Sequence, residues 1–235
     1  MKTRDYILPA FVFVVMLVAL YMIGFYAPLE REQGMVQKIF YFHVPSAWVA
    51  FLAFFVVFIF SFRYIISRDK RWDNRAAAAA EVGVMFCTLV IITGPIWAKP
   101  VWGIWWTWDP RLTLTLVLWL IYVSYLLLRH YVDEAEKRAM LSAILGIVGF
   151  IDVPLVYFAI RWWRTQHPQP VFGGGDNSGL DPRMAATLWV CMAAFTLVFT
   201  YLYRIRAGQY DLEDEIDLTH QKADDLAAAT KGEPS

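Results

Sequence analysis

Long apolar runs separated by short charged intervals organise this chain of 235 residues. Six stretches stand out, running roughly from Tyr6 to Ala27, Phe40 to Ile65, Ala77 to Trp97, Leu112 to Leu128, Ala139 to Ile160 and Met184 to Tyr203. Each approaches or exceeds the ~20 residues that a helix needs to cross a hydrocarbon core. An isolated strand cannot satisfy its backbone in lipid, so each run predicts a helix. Lys2 and Arg4 precede the first run as they would in a signal peptide. That run is longer than an h-region of ~7–15 residues and has no convincing small-residue cleavage site, so it is read as the first span. The expected fold class is all-α: an integral membrane bundle of six transmembrane helices. No repeat of ~20–50 residues is present, which excludes a solenoid.

Charge gives the direction. Arg63, Arg68, Lys70, Arg71 and Arg75 cluster between the second and third spans, and Arg129, Lys137 and Arg138 follow the fourth. With Lys2, Arg4, Arg204 and Arg206 beside the spans, that side carries twelve basic residues near the membrane, against seven on the other. The positive-inside rule then puts both termini in the cytoplasm and three loops outside. In a bacterium this is the inner membrane, with the outer loops in the periplasm. The chain divides into a membrane domain, 1–203, and an acidic cytoplasmic tail, 204–235. The tail holds eight acidic and four basic residues and no long apolar run. Its composition predicts a solvated, partly disordered end, or a docking strip for a cytoplasmic partner.

Composition narrows the function. The chain is 59% hydrophobic and 18% charged, against ~45–50% and ~25% in soluble domains. Its formal net charge is zero, with 21 basic and 21 acidic residues, so nothing in the bulk charge favours nucleic acid. Cys87 and Cys191 lie far apart in apolar runs. That excludes a disulfide scaffold, a C-x-x-C redox pair, a Cys-rich zinc site and a C-x-x-C-H heme attachment site. No G-x-x-x-x-G-K-[ST] motif is present, so any ATP must be used by a partner.

The tryptophans carry the strongest signal. Aromatic belts place Trp at both membrane interfaces. Here Trp97, Trp102, Trp105, Trp106, Trp108, Trp162 and Trp163 sit in or beside two outer loops, and only Trp72 is at the inner surface. In Lys99-Pro-Val-Trp-Gly-Ile-Trp-Trp-Thr-Trp-Asp-Pro-Arg111, residues Trp102, Trp105, Trp106 and Asp109 follow the i, i+3, i+4, i+7 spacing of one helical face. Pro100 suits a first turn and Pro110 a stop. The segment therefore predicts a short tryptophan-rich interfacial helix of ~15 Å in the second outer loop. Five tryptophans within twelve residues exceed what anchoring requires. They read as a platform on which a flat, aromatic, apolar ligand stacks, with Trp108 beside the stripe.

Two histidines flank that platform. His43 lies at the outer start of the second span, and His167 in the third outer loop. Pro45 and Pro168 restrict the backbone near each ring. A single histidine at a helix end is usually just an interfacial polar residue. Two on one side, each beside tryptophans, point to metal ligation, and imidazole is a common axial ligand of heme iron. Heme propionates need cations, and Arg111, Arg161 and Arg164 lie next to the tryptophans; arginine offers bidentate carboxylate contacts and keeps its charge in poor solvent. Asp152, two residues before Pro154 in the fifth span, is either functional or a satisfied carboxyl at a kink. It is not assigned to the ligand site, and Glu81 reads as structural.

Trp102-Gly-Ile-Trp-Trp-Thr-Trp-Asp-Pro-Arg-Leu-Thr113, Phe42-His-Val-Pro-Ser-Ala-Trp48 and Trp162-Trp-Arg-Thr-Gln-His167 together resemble the CcmC family, heme exporter protein C of cytochrome c maturation. The resemblance spans the six apolar runs, with its three motifs in the family's order. It implies a WWD-type heme-handling protein rather than an enzyme. His43 and His167 would be the axial ligands of a non-covalently held heme b, and the 102–109 segment the platform. It also implies an ABC-type assembly with a CcmA-type ATPase, a CcmB-type membrane subunit and a CcmD-type small helper. Heme would be loaded onto a CcmE-type chaperone. The glycine-rich stretch after Pro170 departs from the pattern. A membrane b-type cytochrome carrying electrons and a stand-alone heme channel are the alternatives. The first calls for histidines at two depths, and the second for a polar path that the spans scarcely offer.

Overall fold

The computed structural model describes residues 4–163, 165, 167 and 180–231. Seven α-helices follow in order: α1 (Arg4–Tyr21), α2 (Phe40–Ser67), α3 (Lys70–Trp102), α4 (Pro110–Tyr131), α5 (Ala135–Phe150), α6 (Asp152–Trp162) and α7 (Pro182–Lys231). A π-helical turn, Met22–Tyr26, extends α1, and a 3-10 turn, Met35–Ile39, leads into α2. There is no β-strand among the described residues. The helices make six segments long and apolar enough to cross a membrane, α5 and α6 together forming the fifth. All six expected spans are present, in an all-helical fold.

α2 is the central helix, packed against α3, α5 and α7, while α4 lies against α3, α5 and α6 and α1 against α7. Small residues allow this density. Ala76 to Ala80 are all at most 1% exposed, which sinks α3 into the bundle. A Cβ on Gly83 would come within 2.7 Å of Phe54 Cε1. Phe54 stacks flat on Tyr122, with centroids 3.7 Å apart, joining α2 to α4. Several polar side chains find partners across helices, which stabilises contacts where water is scarce. Trp119 Nε1 donates to Thr88 Oγ1 at 2.8 Å, Trp48 Nε1 to Thr196 Oγ1 at 3.2 Å, and Tyr122 OH to the Gly146 carbonyl at 3.2 Å.

The fifth span breaks at Ile151. Asp152 opens α6 and is buried, with Oδ2 lacking a hydrogen-bond partner among the described residues. Pro154 falls in the first turn of α6, where its missing N–H removes no intrahelical bond.

At the basic end of the bundle, charges pair instead of facing solvent alone. Arg129 grips Asp73 with two nitrogens, the second at 2.9 Å, their side chains only 10% and 5% exposed. Glu81 accepts from Arg206 and, at 2.7 Å, from Tyr210 OH, a structural role in keeping with its sequence reading. Lys70 and Asn74 both reach Asp214 at 2.6 Å, and Arg75 meets Asp211 at 2.9 Å. These contacts fasten the start of the tail, as far as Asp214. α7 runs without a break through Tyr203 to Lys231. Asp211 and Asp214 lie opposite the basic start of α3 and pair with it.

Candidate functional site

The predicted interfacial helix is absent. α3 continues through Pro100 to Trp102 and stops at Gly103, which takes φ +76° and donates its N–H to the Lys99 carbonyl at 2.9 Å. Such a left-handed residue is a common glycine helix stop. Lys99 Nζ reaches the Gly103 carbonyl at 2.8 Å. Residues 103–109 are then non-helical. Pro110 holds the residue before it in extended backbone, and Asp109 uses that geometry to cap α4. Its Oδ1 accepts from the N–H groups of Arg111 and Leu112 at 3.0 and 3.1 Å, and its Oδ2 from Thr107 Oγ1 at 3.0 Å. The apparent stripe is thus split between a helix end and an extended strap.

That arrangement sorts the tryptophans. Trp102 and Trp106 line a cavity of about 200 Å³, whereas Trp105 and Trp108 point away from it, 57% and 75% exposed. Asp109 is also outside the lining, and its observed work is the cap. The cavity follows α3 from Trp102 inward to Cys87, about 22 Å along a helix axis. On α3 the lining residues Gly94, Trp97, Ala98 and Val101 recur at helical spacing, continuing the face begun by Cys87, Val90 and Ile91. α2 contributes His43, Ala47, Ala50 and Phe51, and α4 contributes Arg111, Leu112 and Thr115. Gln33, Val156 and His167 complete the wall.

The two histidines, more than a hundred residues apart in the chain, therefore share one cavity. His43, in the first turns of α2, is only 8% exposed. Its ring sits edge-on to Trp97 at 5.8 Å, and its Nδ1 is 2.8 Å from Thr93 Oγ1. Trp97 is itself fixed by its Nε1 donating to Gln33 Oε1 at 2.9 Å. His167 is half-buried, and its backbone N–H donates to Thr165 Oγ1 at 3.1 Å. Between them the wall carries two buried donors that no described residue engages. Neither Arg111 Nη1 nor Trp106 Nε1 has a hydrogen-bond partner among the described residues. A buried donor without a partner costs roughly 1–3 kcal/mol, so both suit an acceptor beyond those the described residues supply. Arg161 lies outside the lining, with its guanidinium 5.8 Å from the Phe158 ring. Arg164, Pro168 and the glycine-rich stretch lie outside the described residues.

The family model of CcmC, heme exporter protein C, matches residues 2–221. The chain belongs to the heme exporter protein C family. It is 38% identical over 191 residues to heme exporter protein C of Bradyrhizobium diazoefficiens, covering 79% of this chain and 72% of that one. The Escherichia coli K12 heme exporter protein C is 31% identical over 181 residues, 77% and 73% of the two chains. A putative cytochrome c biosynthesis ccmC-like mitochondrial protein of Marchantia polymorpha is 30% identical over 177 residues, 75% of each. With six apolar spans, this family member is a multi-pass membrane protein.

Sequence reasoning had missed the α3 wall, Gln33 and Thr93. The wall was visible as small residues at helical spacing before Trp102. Gln33 and Thr93 carried no signal of their own, because each matters only through a ring that the fold brings beside it.

Proposed function

We propose that this heme exporter protein C homologue holds heme between His43 and His167 and passes it on for cytochrome c maturation. One observation carries this reading: two distant histidines, Trp102, Trp106 and a guanidinium with an unused donor all line one cavity. Among the described residues no third His, Cys, Asp or Glu groups with others as a metal-holding cluster. A pair of imidazoles suits an iron whose remaining positions are filled by a macrocycle. The apolar α3 wall and the indoles suit the faces of that macrocycle, and Arg111 with Trp106 Nε1 suits a propionate.

The chain's chemistry is retention and hand-over rather than turnover. Two imidazoles saturate the iron and leave no open position for substrate chemistry, and the heme, b-type, stays non-covalent. A cavity of about 200 Å³ is smaller than the ~300–1,000 Å³ pockets that enclose small ligands. A porphyrin held here keeps an edge outside, within reach of a CcmE-type chaperone. Trp105 and Trp108, exposed beside the cavity, offer that chaperone an aromatic landing surface. Membership of the family implies an assembly with a CcmA-type ATPase, a CcmB-type membrane subunit and a CcmD-type helper in the bacterial inner membrane. Both termini face the cytoplasm and the cavity faces the periplasm. The basic cluster between the second and third spans supports that orientation.

The test is the heme content of protein purified from heme-replete cells. Wild type is expected to carry heme with a visible Soret band, and the double variant His43→Ala/His167→Ala to lose it. Unchanged heme content in the double variant would overturn the ligand assignment.

A further inference from the structure

We propose that Thr93 is a positioning residue for His43. Its hydroxyl oxygen accepts a hydrogen bond from Nδ1–H, which leaves Nε2 as the bare nitrogen available to iron. The inference rests on the heme reading above and concerns how this chain prepares its buried ligand before heme arrives.

Proton counting assigns the tautomer. Thr93 Oγ1 makes two short contacts, 2.6 Å to the Leu89 carbonyl and 2.8 Å to His43 Nδ1. A hydroxyl has one proton, and a carbonyl can only accept. The proton therefore goes to Leu89, and the contact with His43 is a hydrogen bond only if Nδ1–H donates. In neutral imidazole a protonated Nδ1 means an unprotonated Nε2.

The same device occurs twice more, with donors whose identity is fixed by chemistry. Thr88 Oγ1 donates to the Val84 carbonyl at 2.8 Å and accepts from Trp119 Nε1, and Thr196 Oγ1 donates to Met192 at 2.7 Å and accepts from Trp48 Nε1. An indole N–H can only donate. In each case a threonine bonded back to its own helix turns its remaining lone pairs toward a ring on another helix. Thr93 does to His43 what Thr88 and Thr196 do to tryptophans, with a consequence that indole cannot have: the acceptor selects which imidazole nitrogen stays bare. Trp97, edge-on to the same ring at 5.8 Å, limits how far it can turn. Histidines that bind metals commonly donate their other N–H in this way, and loss of such an acceptor typically weakens metal binding ~10–100-fold.

The test uses full-length protein in detergent and compares wild type, Thr93→Val and Thr93→Ser. Nitrogen-15 NMR of the heme-free wild type is expected to show His43 protonated at Nδ1 and bare at Nε2. Thr93→Ser keeps that pattern, and Thr93→Val shifts population to the Nε2–H form. In hemin titrations Thr93→Val is expected to bind ferric heme about tenfold more weakly, and Thr93→Ser within twofold of wild type. If the loss is confined to ferric heme, the midpoint potential rises by about 59 mV. A wild-type His43 protonated at Nε2 overturns the assignment, and this readout needs no variant to fold. Wild-type hemin affinity and potential in Thr93→Val overturn the positioning role alone. A wild-type protein that binds no hemin overturns the heme reading itself.

Discussion

Arg111→Met separates ligand recognition from stability, because the two effects have opposite signs. Arg111 Nη1 is a buried donor without a partner among the described residues, a cost of roughly 1–3 kcal/mol. Methionine keeps the apolar stem and removes that cost. Each kcal/mol is worth about 2–4 °C in a protein of this size, so the heme-free variant is expected to unfold at or above the wild-type temperature. Heme binding moves the other way. A hydrogen bond to a charged group is worth about 1.5–3 kcal/mol, which at 1.4 kcal/mol per decade is roughly 10–100-fold in affinity. The assay is hemin titration in detergent, repeated with hemin dimethyl ester, whose propionates carry no charge. Wild type is expected to prefer hemin over the ester and Arg111→Met to lose that preference, the coupling a double-mutant cycle isolates. An equal preference in both proteins would refute the pairing of Arg111 with a propionate.

Three further outcomes follow from the same geometry. Asp73→Asn leaves the Arg129 guanidinium buried and half-partnered, at about 3–5 kcal/mol and a loss of roughly 6–20 °C in thermal unfolding. Asp73→Leu/Arg129→Met together should recover most of that loss, and an additive double variant would contradict the ion-pair account. Gly149→Ala would push a Cβ to within 2.6 Å of Ile121 Cγ2, with an overpacking cost of about 1–3 kcal/mol. The loss should appear in the melting temperature, with hemin affinity held within twofold. Trp106→Ala is expected to weaken hemin binding by about 2–10-fold, the worth of one aromatic contact. Trp105→Ala/Trp108→Ala should leave affinity unchanged and slow transfer to the chaperone, and the reverse ranking would place the heme on the wrong tryptophans.

The spans were legible because hydrophobic length is a local property; His43, His167 and Arg111 drew attention because their side-chain chemistry is uncommon at such positions, and they line one cavity. The interfacial helix was misread because spacing over eight residues cannot outweigh Gly103, which ends α3, or Pro110, which holds Asp109 extended. Trp105 and Trp108 were read together with that helix, and they lie outside the cavity lining. The helical extension of α7 was hidden for a different reason. Asp211 and Asp214 look like solvated charge until Arg75, Lys70 and Asn74, well over a hundred residues earlier, are seen to meet them. Thr93 is the extreme case: an ordinary threonine in an apolar span, given meaning by a ring fifty residues away.

Electron paramagnetic resonance of the ferric, heme-loaded protein tests the shared-cavity account most directly. Wild type is expected to be low-spin, as two imidazoles require. His43→Gly and His167→Gly are each expected to turn high-spin and to return to low-spin when free imidazole is added. A low-spin signal that persists unchanged in either variant would contradict the claim that this cavity holds one iron between these two histidines.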